Sequence, residues 1–120
     1  MSDTFEWEDF LDLAESLASE PSNEAAARSA ISRAYYATFH SGRDYLVRAG
    51  IPIDRSRNAH LQVQDELRQK SESVGQVVKR LHIWRKYADY DNLSIPDVAK
   101  QAAVAVALAR ETIDAIKALS

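Results

Sequence analysis

The chain has 120 residues, 46 % of them hydrophobic and 28 % charged, with three glycines, three prolines and a net charge of −3. That length fits one globular domain with a real core, and so few helix breakers favour long helices over many short strands. The absence of cysteine excludes a disulfide scaffold and a thiolate metal or redox centre, and the negative balance argues against a dedicated nonspecific nucleic-acid binder.

The start, MSDTFEWEDF, is acidic and lacks the basic and apolar regions of a signal peptide. Apolar residues then recur at helical spacing through Phe5, Phe10, Leu11, Leu13, Ala14 and Leu17, and Pro21 stops the pattern, which predicts a first helix over about 5–19. Ser22 is a candidate cap for a second and longest helix, about 23–49, ended by Gly50 and Pro52. A linker, IPIDRSR, leads to HLQVQDELRQKSES, a weaker helix with few large apolar residues. The fourth helix is expected from about Gly75 to Tyr90. In SIPD, starting at Ser94, proline falls in the first turn and Asp97 where a capping acid would sit, which predicts a fifth helix running to about Leu119.

No run alternates as a strand does and no Asn-Gly hairpin signal occurs, so the expected fold is an all-α, up-and-down bundle of four to five helices. In the last helix Ala102, Ala103, Ala105, Ala107 and Ala109 would let a neighbour approach closely. Its apolar run AAVAVALA falls far short of the roughly 20 residues that span a bilayer. A soluble cytoplasmic protein is expected.

Charge is unevenly spread. Residues 1–27 hold eight acids and no base, whereas 28–57 hold six arginines (28, 33, 43, 48, 55 and 57) against Asp44 and Asp54. Either the acidic helix neutralises a basic neighbour inside one bundle, or the arginines form a surface aimed at phosphate or an acidic partner.

On the second helix Ile31, Tyr35, Thr38, Gly42, Tyr45 and Ala49 fall on one stripe, the expected core face. Ser29, Arg33, Tyr36, His40 and Val47 lie opposite. That face has neither lysine nor glutamate, and Arg with Tyr is the composition of interface anchors; it reads as a protein contact, foremost a homodimer, with ordinary surface and a nucleotide or RNA site as the alternatives. On the fourth helix Val74, Val77, Val78, Leu81, Trp84 and Ala88 form the apolar stripe. Arg85 is at its edge, spaced for an ion pair with Asp89, and Lys86, Tyr87, Tyr90, Asp91 and Asn92 crowd the same helix end. His82 lies one turn before Arg85 and Lys86, and reads either as a surface histidine or as part of a site. Asp89 and Asp91 have no histidine partner at ligand spacing, so no metal site is indicated; nor is there a glycine-rich phosphate loop or other cofactor signature.

SRAYYATFH at 32–40 and RKYADYD at 85–91 together resemble the HEPN superfamily, in particular its small branch with S-R-A-Y-Y-x-x-F-H followed by R-x-x-A-D-Y-D. The resemblance spans essentially the whole chain in helix order. It implies a helical bundle, frequent dimerisation, a small nucleotidyltransferase as partner, and membership of toxin–antitoxin or defence-type pairs. It also implies that the chain is either a noncatalytic binding module or a metal-independent endoribonuclease. The family's nuclease motif is an Arg, four to six intervening residues and then a His, near the end of a late helix. Carried here the arginine is Arg85, and the histidine positions hold Tyr90, Asp91 and Asn92. Arg33 with His40, and Arg55 with His60, match the spacing off the motif helix.

The leading expectation is therefore an interaction module that binds the nucleotidyltransferase, and nucleotide or RNA, through Arg33, Tyr36 and His40 together with Lys86, Asp91 and the Arg85 helix end. In the enzyme alternative Arg85 stabilises transition-state charge, Tyr90 or His82 handles the proton, and Asp89 or Asp91 acts as base if its pKa is raised. There the partner would neutralise the toxin, for instance by adding a nucleotide to a tyrosine such as Tyr90. A third reading is a bundle that only stabilises its partner.

Overall fold

In the computed structural model, which describes residues 5–20, 22–54, 56 and 58–119, the chain folds into five helices and no described residue is in a strand. They are α1 (Glu8–Ala18), α2 (Glu24–Arg48), α3 (Ala59–Lys70), α4 (Glu72–Tyr90) and α5 (Val98–Ala118). Pro21, Arg55 and Arg57 lie outside the described residues. None of the helices among the described residues is long and apolar enough to cross a membrane.

Helix α2 is the axis of the bundle and packs against the other four. Its stripe of Ile31, Tyr35, Thr38, Gly42 and Tyr45 is buried as its spacing predicts, but so are Ala27, Ala30, Ala34, Ala37, Phe39 and Leu46. Small alanines on the remaining circumference let α1 and α5 close on both flanks. Ala49, expected on the core stripe, is exposed beyond the helix end. In α5 only Ala102, Ala105 and Ala109 of the five alanines are buried, because one face of a helix cannot include residues one apart from all of them. In α1, Leu11 and Ala14 are buried while Leu13 is exposed; Phe5, expected within the first helix, precedes it and is exposed.

Local chemistry sets the helix ends. Asn23, rather than Ser22, caps α2, its side chain accepting from the Ala26 N–H at 3.0 Å. At the other end Gly50 adopts φ +86°, and the Ile51 N–H reaches back to the Leu46 carbonyl at 2.9 Å, the left-handed close that glycine permits. Between α3 and α4 the break falls at Ser71, earlier than expected. Ser71 ends one helix and caps the next by accepting from the Val74 N–H. Gly75 consequently lies inside α4, where a Cβ would come within 2.7 Å of the Arg68 Cα; without one, α3 and α4 pack backbone to backbone. Helix α5 begins at Val98, not Ser94, and Asp97 takes a left-handed φ of 55° without capping through its side chain.

A cationic clamp joins α2 to the end of α4. Arg28 Nε donates to Glu24 at 3.0 Å, Nη1 donates to the carbonyls of Asp91 at 2.6 Å and Ala88 at 3.4 Å, and Nη2 donates to the Leu93 carbonyl. Glu24 in turn accepts from the Ile95 N–H. Carbonyls in the last turn of a helix have no partner of their own and carry the negative end of its dipole, so Arg28 both bonds and neutralises them. The clamp anchors the segment after Tyr90.

The acids of α1 find their partners on α5: Arg110 pairs with Asp12 and Glu15, and Lys117 with Glu8. No pair among the described residues joins them to the arginines of α2. Among the acids of 1–27, Glu24 pairs with Arg28 within α2, while Glu8, Asp12 and Glu15 pair with α5.

Candidate functional site

The α4 stripe runs Val74, Val78, Leu81, Arg85, Ala88, all buried, at alternating spacings of four and three residues. Periodicity therefore carries Arg85 into the seam with α2 rather than to its edge, and it is only 8 % exposed. Its guanidinium carbon lies 5.6 Å from the ring centroid of Tyr35, 5.5 Å from that of Tyr36 and 5.9 Å from that of Tyr90. Aromatic faces attract a cation electrostatically. The expected pair with Asp89 forms at 3.6 Å, and Asp89 also accepts from Ser32 Oγ at 3.2 Å. Arg85 Nε is sealed from solvent and bonds nothing.

Two histidines stand beside this cation. His60, in the first turn of α3, stacks on Phe39 at 4.5 Å and on His82 at 4.9 Å, and its Nδ1 is 2.5 Å from the buried Tyr35 hydroxyl. His82 stacks on Tyr35 at 5.1 Å, and its Nδ1 accepts from the Gln64 side-chain amide at 2.8 Å. It is therefore not a surface histidine. Tyr35, His60 and His82 form one ring stack drawn from α2, α3 and α4.

Protonation follows from the surroundings. Burial pushes the Tyr35 hydroxyl well above its ordinary range, with the Arg85 charge opposing, so it stays protonated and can donate to His60. Burial first, then His60 and the charges of Lys86 and Arg85, lowers His82 to about 4. His60 is lowered too, by burial and then by Arg85 and Lys86. Burial first, with the Arg85 and Lys86 charges adding to it, keeps both rings neutral at pH 7.

Two open cavities flank Arg85. One, of about 890 Å³, is lined by Phe39, Arg43, Ser56, Ala59, His60, Arg85 and Tyr90. The other, of about 720 Å³, is lined by Ile83, Arg85, Lys86, Tyr87, Tyr90 and Asp91. Tyr90 is 73 % exposed and, with Arg85, belongs to both walls. The Asp91 carboxylate is used locally, accepting from the Leu93 N–H. Among the described residues no three histidine, aspartate or glutamate side chains stand close enough to hold a metal ion.

Arg85, Lys86, Asp89, Tyr90, Asp91, His82 and Tyr36 thus come together, whereas Arg33 and His40 turn to α1. Arg33 lies over the Phe10 ring at 5.1 Å, and His40 stacks on Trp7 at 3.7 Å. The opposite stripe of α2 is therefore divided between the site and a contact with α1. Tyr35, Arg43, His60 and Gln64 were not expected there. Tyr35 reads as core by its period, and the only signal for His60 was its spacing from Arg55. The chain matches no protein-family model, no curated protein and no solved structure.

Proposed function

We propose that this chain is a HEPN-like module that binds the phosphate of a nucleotide or of RNA at Arg85 and works beside a nucleotidyltransferase partner. The observation that carries the phosphate reading is the state of Arg85. A buried guanidinium has one carboxylate at 3.6 Å and an unbonded Nε, and it walls two cavities that also present Arg43 and Lys86. Such a charge is incompletely compensated inside the fold. An anion entering either cavity would meet the terminal guanidinium nitrogens, since Nε itself is sealed, and would balance the charge that Asp89 leaves; a phosphate oxygen suits a guanidinium. Calorimetric titration with AMP and with a short oligoribonucleotide tests this reading: Arg85→Gln, checked as folded by circular dichroism, is expected to weaken binding at least tenfold. Unchanged affinity would remove the proposal.

The partner part of the proposal comes from the resemblance, with Arg33, the exposed member of the Arg33, Tyr36 and His40 stripe, as its partner-facing residue. Co-purification with a nucleotidyltransferase, lost on Arg33→Glu, is its test.

A second reading is favoured by His60, whose ring lines the same cavity as Arg85. Metal-independent RNA cleavage removes the 2′-hydroxyl proton as that oxygen attacks phosphorus, and returns a proton to the leaving 5′-oxygen. A histidine near neutral can do either step while arginine stabilises the charge on phosphorus. His60 would take the proton-handling role from α3, a role that neither the Tyr90 phenol, a poor base, nor the paired Asp89 fills as well. Incubation of mixed cellular RNA with the protein in EDTA decides it: cleavage lost in both His60→Ala and Arg85→Ala makes the chain an endoribonuclease, and no cleavage leaves it a binding module.

A further inference from the structure

We propose that Tyr35 is a positioning residue: its hydroxyl holds the His60 ring with Nε2 protonated, so that His60 presents an N–H donor to a phosphate-type anion in the cavity it lines with Arg43 and Arg85. This rests on the reading of Arg85 as the phosphate-binding group, and gives that group a neutral companion on another helix.

The assignment follows from what the hydroxyl can bond. Tyr35 is fully buried, so water does not reach its hydroxyl hydrogen, and its hydrogen-bond partner among the described residues is His60 Nδ1 at 2.5 Å. Burial keeps the phenol protonated, and buried polar hydrogens find acceptors. This one finds an acceptor only if Nδ1 offers its lone pair; in a neutral imidazole the other nitrogen then carries the proton. The opposite tautomer, with Nδ1–H donating to the Tyr35 oxygen, would strand the hydroxyl hydrogen in the core. Phe39 and His82 stack on the same ring, at 4.5 and 4.9 Å and within 24° and 10° of parallel, so its plane is fixed as well as its tautomer. The direction of the Nε2–H is thereby set by α2 and α4, although the histidine belongs to α3.

The cavity suits that donor. Of the two beside Arg85, the one of about 890 Å³ that His60 lines has no carboxylate among its described lining residues, whereas the one of about 720 Å³ includes Asp91. An anion meets less repulsion in the first. A neutral N–H adds a directional bond there without setting a third positive charge beside Arg43 and Arg85. The same geometry bears on proton transfer. A base at Nε2 needs a lone pair there, which exists only in the tautomer that strands the Tyr35 hydrogen. His60 at rest is thus arranged to hold an oxygen and not to take up a proton.

Nitrogen-15 NMR of the ligand-free protein tests the tautomer directly. Long-range proton–nitrogen correlations at neutral pH, with the His60 ring assigned by its disappearance in His60→Leu, are expected to show Nε2 protonated and Nδ1 unprotonated. In Tyr35→Phe, which keeps the ring and removes only the hydroxyl, the Nδ1 resonance should move to that of an unbonded ring nitrogen. Calorimetry with AMP tests the consequence as a double-mutant cycle, each variant checked as folded by circular dichroism. Tyr35→Phe should weaken AMP about threefold and His60→Leu about fivefold or more, the scale of one hydrogen bond. Adding Tyr35→Phe to His60→Leu should change the affinity by less than about 1.5-fold, because the hydroxyl acts through the ring. A wild-type ring protonated at Nδ1 overturns the proposal and leaves the Arg85 reading standing. So does a Tyr35→Phe effect of the same size with and without His60. The tautomer is read on the unaltered chain, so that outcome decides even where a variant fails to fold. Failure of AMP to bind the folded wild-type chain overturns the Arg85 reading and the anion role of His60 together.

Discussion

Arg85 occupies a position that helix periodicity reserves for an apolar side chain. Taking a guanidinium out of water costs several kcal/mol, and one carboxylate with three aromatic faces repays it only in part. A residue kept for binding rather than for stability gives a distinctive pair of outcomes. Arg85→Met, which fills similar volume without the charge, is expected to leave Tm unchanged or raise it by a few degrees while abolishing phosphate binding; thermal denaturation and calorimetry on the same sample check both. A purely structural arginine would show the reverse, a lower Tm. The neighbouring His82 makes the fold sensitive to acid. It is protonated near pH 4 in the native chain and at its ordinary 6.5 when unfolded, so between those values unfolding takes up a proton. Its contribution is complete above pH 6.5 and is lost as pH falls through 4; His60 and His40 are lowered in the same direction. Tm measured from pH 8 to 4 should therefore drop in the wild type and drop less in His82→Phe, which keeps the ring stack and removes the proton. An equal drop in both would place the acid sensitivity elsewhere.

At the scale of elements, two glycines on different helices look alike in sequence and differ in what surrounds them. A Cβ at Gly42 meets the Leu67 Cδ1 at 2.7 Å, the far end of a side chain that can rotate away. A Cβ at Gly75 meets the Cα, Cβ and N of Arg68 at 2.7, 2.7 and 2.9 Å, a backbone that moves only with the whole of α3. Gly75→Ala is expected to destabilise by about 1–3 kcal/mol, the usual range for overpacking, and Gly42→Ala by less, since gained helix propensity of about 1 kcal/mol offsets the contact; urea denaturation of the two variants gives the comparison. The same close packing brings His60 on α3 beside His82 on α4, so α3–α4 contact is a condition of the site. The element boundaries that reading the sequence missed have local causes. Ser22 and Ser94 are good capping types, but Asn23 reaches the Ala26 N–H, and Arg28 and Glu24 hold the 91–95 segment in a non-helical course until Val98.

Across the whole molecule the charges divide into a surface pairing of α1 with α5 and a group of cations around the two cavities. Glu8, Asp12 and Glu15 on α1 meet Lys117 and Arg110 on α5 at the surface, where water and salt screen such pairs. Arg110→Ala should accordingly change Tm by less than about 2 °C at physiological salt, as a melting curve will show; a larger fall would mean the α1–α5 contact depends on these ion pairs rather than on Leu11, Ala14 and the buried alanines. The cations around the two cavities, by contrast, are drawn from α2 and α4, and a net charge of −3 conceals them. Overall charge averages over faces that the fold separates, so it does not describe the local charge at these cavities.

Helix number, helix class and the core stripes of α2 and α4 follow from spacing along the chain, since amphipathic periodicity, caps and breakers act over a few residues. The gathering of Arg85, Lys86, Asp89 and Tyr90 is legible for the same reason: they lie within two turns of one helix. That Tyr35 bonds His60, that His60 and His82 stack, and that Arg33 and His40 face α1 instead of the site are matters of which helix packs on which. Residues 25 and 22 positions apart, as in Tyr35 with His60 and His60 with His82, meet only when three helices close around one seam, and no local rule along the chain contains that geometry.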